Sequence, residues 1–374
     1  MIAIASSTRA DWGLLTPLAA ELRRQGIPYT VYASNMHLLP EMGMTVSEIE
    51  ASGEKPVKLH TAKTSACETF AATASAYGEA MRKDRPNTII ILGDRYEMLA
   101  VASAAVMCGV PVTHIAGGTV SEGAIDNSIR NAITQLASLH LPETEACGER
   151  LKRMGIAGDD ICVTGALGVY NALHQQLMTR RELEESIGEP LPKRYFTGTL
   201  HAATLDKKSP KAQMEEFLQG LDSFLASSPD FGAILTYPNN DVDPTPQIEM
   251  LKQFADRHPG KIILRPSLGM RRYLSAAAMS EGVIGNSSGG IVETASLRVP
   301  TLDIGIRQKG REHAQSVIHC DHDRESIAKG LAAIVGPDVK AIAAKGENPY
   351  EKSGTPALMT KAITEMLATR HKHF

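Results

Sequence analysis

The sequence predicts an α/β protein of two Rossmann-like domains facing across a cleft. Short apolar runs alternate with helix-period segments in the first half, and the same alternation restarts after a polar stretch near the middle. Strands that are each followed by a helix argue a parallel sheet with helices on both faces. The length, 374 residues, suits two domains of about 100–200 residues each.

Ile2–Ala5 reads as the first strand. A helix from about Ala10 to Gln25 follows, with Trp12, Leu15, Leu18 and Leu22 near helical spacing, and Gly26 ends it. Tyr29–Ala33 is the next strand. Ile89–Leu92 is another, followed by Gly93-Asp94-Arg95 and a helix through Met107-Cys108 that Gly109 closes; Pro111–Ile115 is the strand after it. Residues 173–193, rich in Gln, Arg and Glu, look like the passage between the halves. Beyond it, Arg194–Thr199, Ala233–Thr236, Lys261–Leu264, Gly282–Ile284 and Thr301–Ile304 are strand candidates. The expected domains are therefore 1–172 and 173–355, with a final helix in 356–374 packing back on the first.

Composition narrows the function. Hydrophobic residues are 43% and charged residues 22%, which is ordinary for a soluble globular protein. A net charge of −3 without a long basic block leaves no electrostatic footprint for nucleic acid or for an anionic membrane. Cys67, Cys108, Cys147, Cys162 and Cys320 are dispersed without CxxC spacing, which points to reduced thiols and no zinc site. Met1 runs straight into a short apolar strand, so neither a signal peptide nor a membrane span is expected. The expectation is a cytoplasmic protein.

The stretch around which the rest is organised is Val283-Ile284-Gly285-Asn286-Ser287-Ser288-Gly289-Gly290-Ile291-Val292-Glu293. Strand, small-residue turn and a helix from Ile291 to about Leu297 would aim free N–H groups and a positive dipole end at one spot. A phosphate suits that spot, Ser287 and Ser288 adding hydroxyls. Glu293 is placed to accept from a ribose diol, as an acidic residue does in dinucleotide sites. The plainer alternative is a helix cap and a tight turn.

Ligands of open parallel sheets sit at the carboxyl ends of the strands, which singles out further loops. Thr8 and Asp11 have capping-box spacing, and Arg9 between them suits a diphosphate. Asp94 and Arg95 put a carboxylate beside a guanidinium, although Asp94 would serve equally as an N-cap. The loop from Ala116 to Asn127 crowds Glu122 and Asp126 among glycines, with His114 before it and Arg130 on the next helix. In the second half, Thr199-Leu200-His201, Tyr237-Pro238-Asn239-Asn240-Asp241 and Arg307-Gln308-Lys309-Gly310-Arg311 follow strands, and their cations suit diphosphate neutralisation. Neither GxGxxG nor GxxxxGK[ST] occurs, which argues against NAD and ATP.

In this order and spacing, Arg9-Ala10-Asp11, Gly93-Asp94-Arg95-Tyr96-Glu97, His114-Ile115-x-Gly117-Gly118, Glu122-Gly123-Ala124-Ile125-Asp126-x-Ser128-Ile129-Arg130, Tyr237-Pro238-Asn239, Gly285-Asn286-Ser287-Ser288 and Arg307-Gln308-Lys309-Gly310-Arg311 resemble the hydrolysing UDP-N-acetylglucosamine 2-epimerases of sialic acid and legionaminic acid synthesis. The resemblance runs from about residue 2 to 350. It implies a GT-B-like pair of Rossmann domains, usually a homodimer or homotetramer, with a UDP-sugar in the cleft and neither metal nor cofactor. It places UDP contacts on Arg9, Arg95, His201, Asn239, Leu268 (through backbone), Ser287, Ser288, Glu293 and Arg307. It maps the acid–base carboxylates to Asp94 and Asp126, with Glu122 and His201 beside the chemistry. The implied reaction is anti elimination of UDP to a 2-acetamidoglucal, then hydration to N-acetylmannosamine. Ala116, Thr119, Asn127, Asn131 and Ala202 depart from the family pattern, so the nucleotide half looks whole and the sugar half altered. That pattern admits UDP-diacetylbacillosamine as substrate, a UDP-sugar-binding protein with little catalysis, or a GT-B glycosyltransferase as alternatives.

Overall fold

The computed structural model describes residues 1–122, 125–239 and 243–370. Gly123 and Ala124 of the small-residue loop, Asn240 and Asp241 of the Tyr237 turn, and 371–374 of the last segment lie outside the described residues. The chain divides into two compact units. One takes in Met1–Thr119, Asp126–Tyr170 and Lys352–Phe374, the other Val120–Ile125 and Asn171–Glu351.

The first unit is built on β1 (Ile2–Ser6), β2 (Tyr29–Ser34), β3 (Val57–Leu59), β4 (Thr88–Leu92), β5 (Val112–Ile115) and β6 (Leu139–Leu141), ordered β3-β2-β1-β4-β5-β6. The second is built on β7 (Arg194–Thr199), β8 (Phe231–Thr236), β9 (Ile262–Arg265), β10 (Gly282–Gly285), β11 (Thr301–Ile304) and β12 (Val317–Cys320), ordered β12-β11-β10-β7-β8-β9. All pairings are parallel. Read from the opposite edge, the second order repeats the first, and both are Rossmann-like. The two Rossmann-like domains expected are found.

Each sheet is buried on both faces, as a parallel sheet covered by helices must be. Ile2, Ile4 and Val31 pack beneath Leu15, Leu18 and Leu22 of the Arg9–Arg24 helix, joined by Met359 and Ile363 of the Thr355–Arg370 helix. Ala3, Ala5, Ile89 and Ile91 point the other way, to Tyr77, Met98 and Val101. In the second unit Phe196, Ala233 and Leu235 face one cluster, and Tyr195 and Ile234 the other. Each fully buried Leu or Ile contributes about 1.5–3 kcal/mol.

The structure corrects three local expectations. The polar stretch at 173–193 is not merely a passage: Thr179 and Glu182 form a capping box for an Arg180–Ile187 helix whose Leu183 and Ile187 pack into the second unit. The helix after the serine turn is Ser288–Val292, five residues, and does not reach Leu297. Two glycines in its first turn cost helix propensity, and the Thr294 hydroxyl bonds the Gly290 carbonyl at 2.7 Å and the Thr301 hydroxyl at 2.8 Å, tying the chain down. So short a helix has little macrodipole. Third, Asp94 caps no helix: Arg95 is the N-cap of Tyr96–Met107, without a side-chain cap bond.

Candidate active site

In the first unit the loop after β1 is set by Asp11. Its Oδ2 accepts from the Ser7 N–H (3.1 Å), the Ser7 hydroxyl (2.9 Å) and the Thr8 N–H (3.0 Å), while the Thr8 hydroxyl accepts from the Asp11 N–H at 3.2 Å. The capping box is complete, and it holds Arg9 at the start of the helix, 3.6 Å from Glu48. His37 lies fully buried behind this loop, its Nε2 2.9 Å from the Ser6 Oγ and its Nδ1 2.9 Å from the Thr45 Oγ1. Burial holds His37 below the usual imidazole range.

Asp94 and Arg95 follow β4, and each turns to a buried partner of opposite charge. Asp94 pairs with Arg130, whose side chain is 1% exposed and also donates to the Thr119 carbonyl at 2.7 Å. Arg95 pairs with Glu97, whose side chain is 0% exposed. His114 on β5 is fully buried, with Nε2 2.8 Å from the Gly93 carbonyl and Nδ1 3.3 Å from the Thr134 Oγ1. Burial pulls its pKa down to about 4, so the ring is neutral and structural at pH 7. Ala116 adopts the left-handed region at φ 64°, and its carbonyl accepts from the Thr119 hydroxyl at 3.3 Å. Asp126 opens the Asp126–Leu136 helix, partly exposed.

The segment Val120–Ile125 groups with the second unit. There Glu122 is exposed, donates its N–H to the Lys309 carbonyl (3.2 Å) and lies 3.4 Å from the Lys309 Nζ.

The carboxyl ends of β7 and β10 are locked together. The His201 N–H donates to Asn286 Oδ1 at 2.8 Å, and Asn286 Nδ2 donates to the His201 carbonyl at 2.9 Å. The Asn239 N–H donates to His201 Nδ1 at 3.0 Å, which fixes the proton of His201 on Nε2. Burial, with the Arg307 guanidinium beside it, pulls His201 down to about 3. It is therefore neutral at pH 7, with its Nε2 N–H as the donor. The Asn286 carbonyl accepts from Arg307 Nη1 (3.2 Å) and Gln308 Nε2 (2.8 Å), drawing the basic loop to the serine turn.

Gly285 makes the turn possible. Its φ is 121°, and a Cβ there would stand 2.0 Å from the Thr199 carbonyl oxygen. Four residues on, a Cβ at Gly289 would lie 3.0 Å from the Tyr273 hydroxyl and 3.1 Å from Glu293 Oε2. Tyr273 and Glu293 thus share one corner over the turn. The Tyr273 hydroxyl is buried and has no hydrogen-bond partner among the described residues. Burial, and then the Glu293 carboxylate, push its phenol well above the usual range. Leu268, 3% exposed, precedes the Gly269–Ala278 helix, and its carbonyl accepts from Arg272 Nε at 2.7 Å.

No individual role for Tyr273, Gln308, Glu97 or His37 was legible from local pattern. Tyr273 sits at helical spacing and reads as core, Gln308 acts on the Asn286 backbone, and Glu97 and His37 reach Asn35 and Ser6, partners distant in sequence. Among the described residues no group of three His, Cys, Asp or Glu is placed to hold a metal ion, and no helix is long and apolar enough to cross a membrane.

The family described as UDP-N-acetylglucosamine 2-epimerase matches residues 20–364. The chain belongs to that family. A GDP/UDP-N,N'-diacetylbacillosamine 2-epimerase (hydrolyzing) of Campylobacter jejuni is 32% identical over 323 residues, 85% of this chain and 83% of its own. A UDP-N,N'-diacetylbacillosamine 2-epimerase (hydrolyzing) of Legionella pneumophila is 31% identical over 343 residues, covering 90% and 89%. Among solved structures, the UDP-GlcNAc 2-epimerase of Neisseria meningitidis bound to UDP-GlcNAc superposes with a TM-score of 0.82 over 97% of this chain and 99% of that one, at 17% identity. That likeness is one of fold.

Proposed function

We propose that this 2-epimerase family member is a hydrolysing enzyme acting on UDP-N-acetylglucosamine, releasing UDP and N-acetylmannosamine. The observation that carries the reading is the second unit's turn: the His201–Asn286 lock, the Arg307 guanidinium and the serines converge where a diphosphate would lie, with Glu293 in ribose reach. UDP would be taken by His201, Asn239, Ser287, Ser288, Glu293 and Arg307, the Leu268 backbone meeting the base, and Arg9 and Arg95 adding charge to the diphosphate.

In the reaction, a carboxylate removes the C2 proton, the C2–H electron pair becomes the C1=C2 double bond, and the C1–O pair leaves with UDP. The 2-acetamidoglucal then takes water oxygen at C1 and a proton at C2 on the opposite face. Asp94 and Asp126 would serve as the acid–base pair, Glu122 and His201 assisting. The ion pair with buried Arg130 supports Asp94 as a carboxylate held in one geometry, and neutral His201 with Arg307 suits a leaving diphosphate. The protein would work in the cytoplasm as a homo-oligomer.

The names of the relatives at 31% and 32% identity favour a second reading, UDP-diacetylbacillosamine as substrate. A proton-NMR time course in D2O with each nucleotide sugar tests both. Expected is UDP together with N-acetylmannosamine carrying deuterium at C2. Turnover of the diacetylated sugar alone would select the second reading, and UDP released only on adding an acceptor would make the protein a glycosyltransferase. Intact sugars with no sign of binding would overturn the nucleotide-sugar reading.

A further inference from the structure

Glu97 is a carboxylate in the first turn of the Tyr96–Met107 helix, and its side chain has no exposed surface. Its Oε2 accepts from Arg95 Nε at 3.2 Å and its Oε1 from Arg95 Nη2 at 2.9 Å. Oε1 also takes a short bond from Asn35 Nδ2. Asn35 is itself held in an uncommon backbone, φ 48°, with its N–H donating to the Thr61 hydroxyl at 3.2 Å. Asn35 follows β2 and Arg95 follows β4, the two strands that flank β1. Glu97 therefore ties together two loops at the carboxyl edge of the first sheet.

The guanidinium fork fits a carboxylate and a phosphate equally well. Its nearest alternative partner in sequence is Asp94, which the structure pairs with Arg130 instead. We propose that Glu97 is a positioning residue: it fixes the Arg95 guanidinium in the orientation that meets the diphosphate and withholds it from Asp94. This rests on the UDP-sugar reading above and adds to it the residue through which Arg95 acts. Glu97 touches no substrate in this role. Because it is buried and already paired, it orients Arg95 without offering a competing charge at the surface, where the Arg95 side chain is 30% exposed.

A double-mutant cycle on UDP binding, read by titration calorimetry on the full chain, tests this. Glu97→Gln should weaken UDP by roughly tenfold, the worth of one charge-assisted bond. In an Arg95→Ala background the same change should alter affinity by less than about twofold, since the residue it positions is gone. A tenfold loss in both backgrounds would make Glu97 a general structural support and overturn the inference. If Glu97→Gln does not fold, Glu97→Asp, which keeps the charge but retracts it, carries the same comparison. Failure of both to fold would assign Glu97 to stability alone and overturn it too. A wild-type chain that binds no UDP would overturn the nucleotide reading and this inference with it, whereas UDP binding with additive losses would overturn this inference only.

Discussion

Glu293 ends a five-residue helix beside a buried phenol, and its carboxylate is the group whose removal is easiest to interpret. If that carboxylate takes the ribose hydroxyls, Glu293→Ala should weaken UDP by roughly 1.5–3 kcal/mol, the range for hydrogen bonds to a charged group. Titration of UDP into both proteins checks this, and an unchanged affinity would remove Glu293 from the site. Its place beside the turn was legible because a strand, a Gly-Asn-Ser-Ser-Gly-Gly turn and an acidic residue lie within a dozen positions. Tyr273 was not. The crossing that brings its hydroxyl over Gly289 comes from the packing of the Gly269–Ala278 helix, which no local pattern encodes. Asp94 shows the same limit from the other side: its place after β4 was readable, whereas its pairing with Arg130, 36 residues away, was not.

At the scale of elements, β5 and β6 carry an acid sensitivity. His114 and His140 are register partners on these strands and both are buried. Burial pulls each down to about 4, against about 6.5 in an unfolded chain. Between those values the unfolded chain binds more protons than the folded one. The stability the neutral rings contribute is therefore complete above the unfolded pKa and lost as pH falls toward 4. Each shift corresponds to on the order of 3 kcal/mol, a large share of a domain's ~5–15 kcal/mol. Urea unfolding at pH 7.5 and pH 4.5 should show that loss, and His140→Leu should lose roughly half as much. Equal losses in variant and wild type would clear His140. β6 is also one of three strands that sequence patterns passed over, with Val57–Leu59 and Val317–Cys320. All lie at sheet edges and are three or four residues long, too short to carry an alternation. The central strands announced themselves as apolar runs because both their faces are covered.

At the scale of the whole molecule, the two proposed acid–base carboxylates fall in one unit and most of the proposed nucleotide contacts, Arg9 and Arg95 apart, in the other. Asp94 and Asp126 belong to the first, and His201, Asn286, Glu293 and Arg307 to the second. Grip on the nucleotide and proton transfer should then be separable by substitution. Asp126 begins its helix and is only partly buried, so Asp126→Asn should fold normally. It should hold UDP within about twofold of wild type, since a residue that acts only in the transition state lowers kcat without changing ground-state binding. Turnover to the free sugar should disappear. Hydrogen exchange read in parallel should show UDP slowing amides at 199–201 and 285–290 equally in both proteins, because a ligand stabilises the elements it binds by mass action. Loss of UDP affinity together with turnover would mean that Asp126 shapes the nucleotide site. Retained turnover would leave Asp94 as the carboxylate that matters.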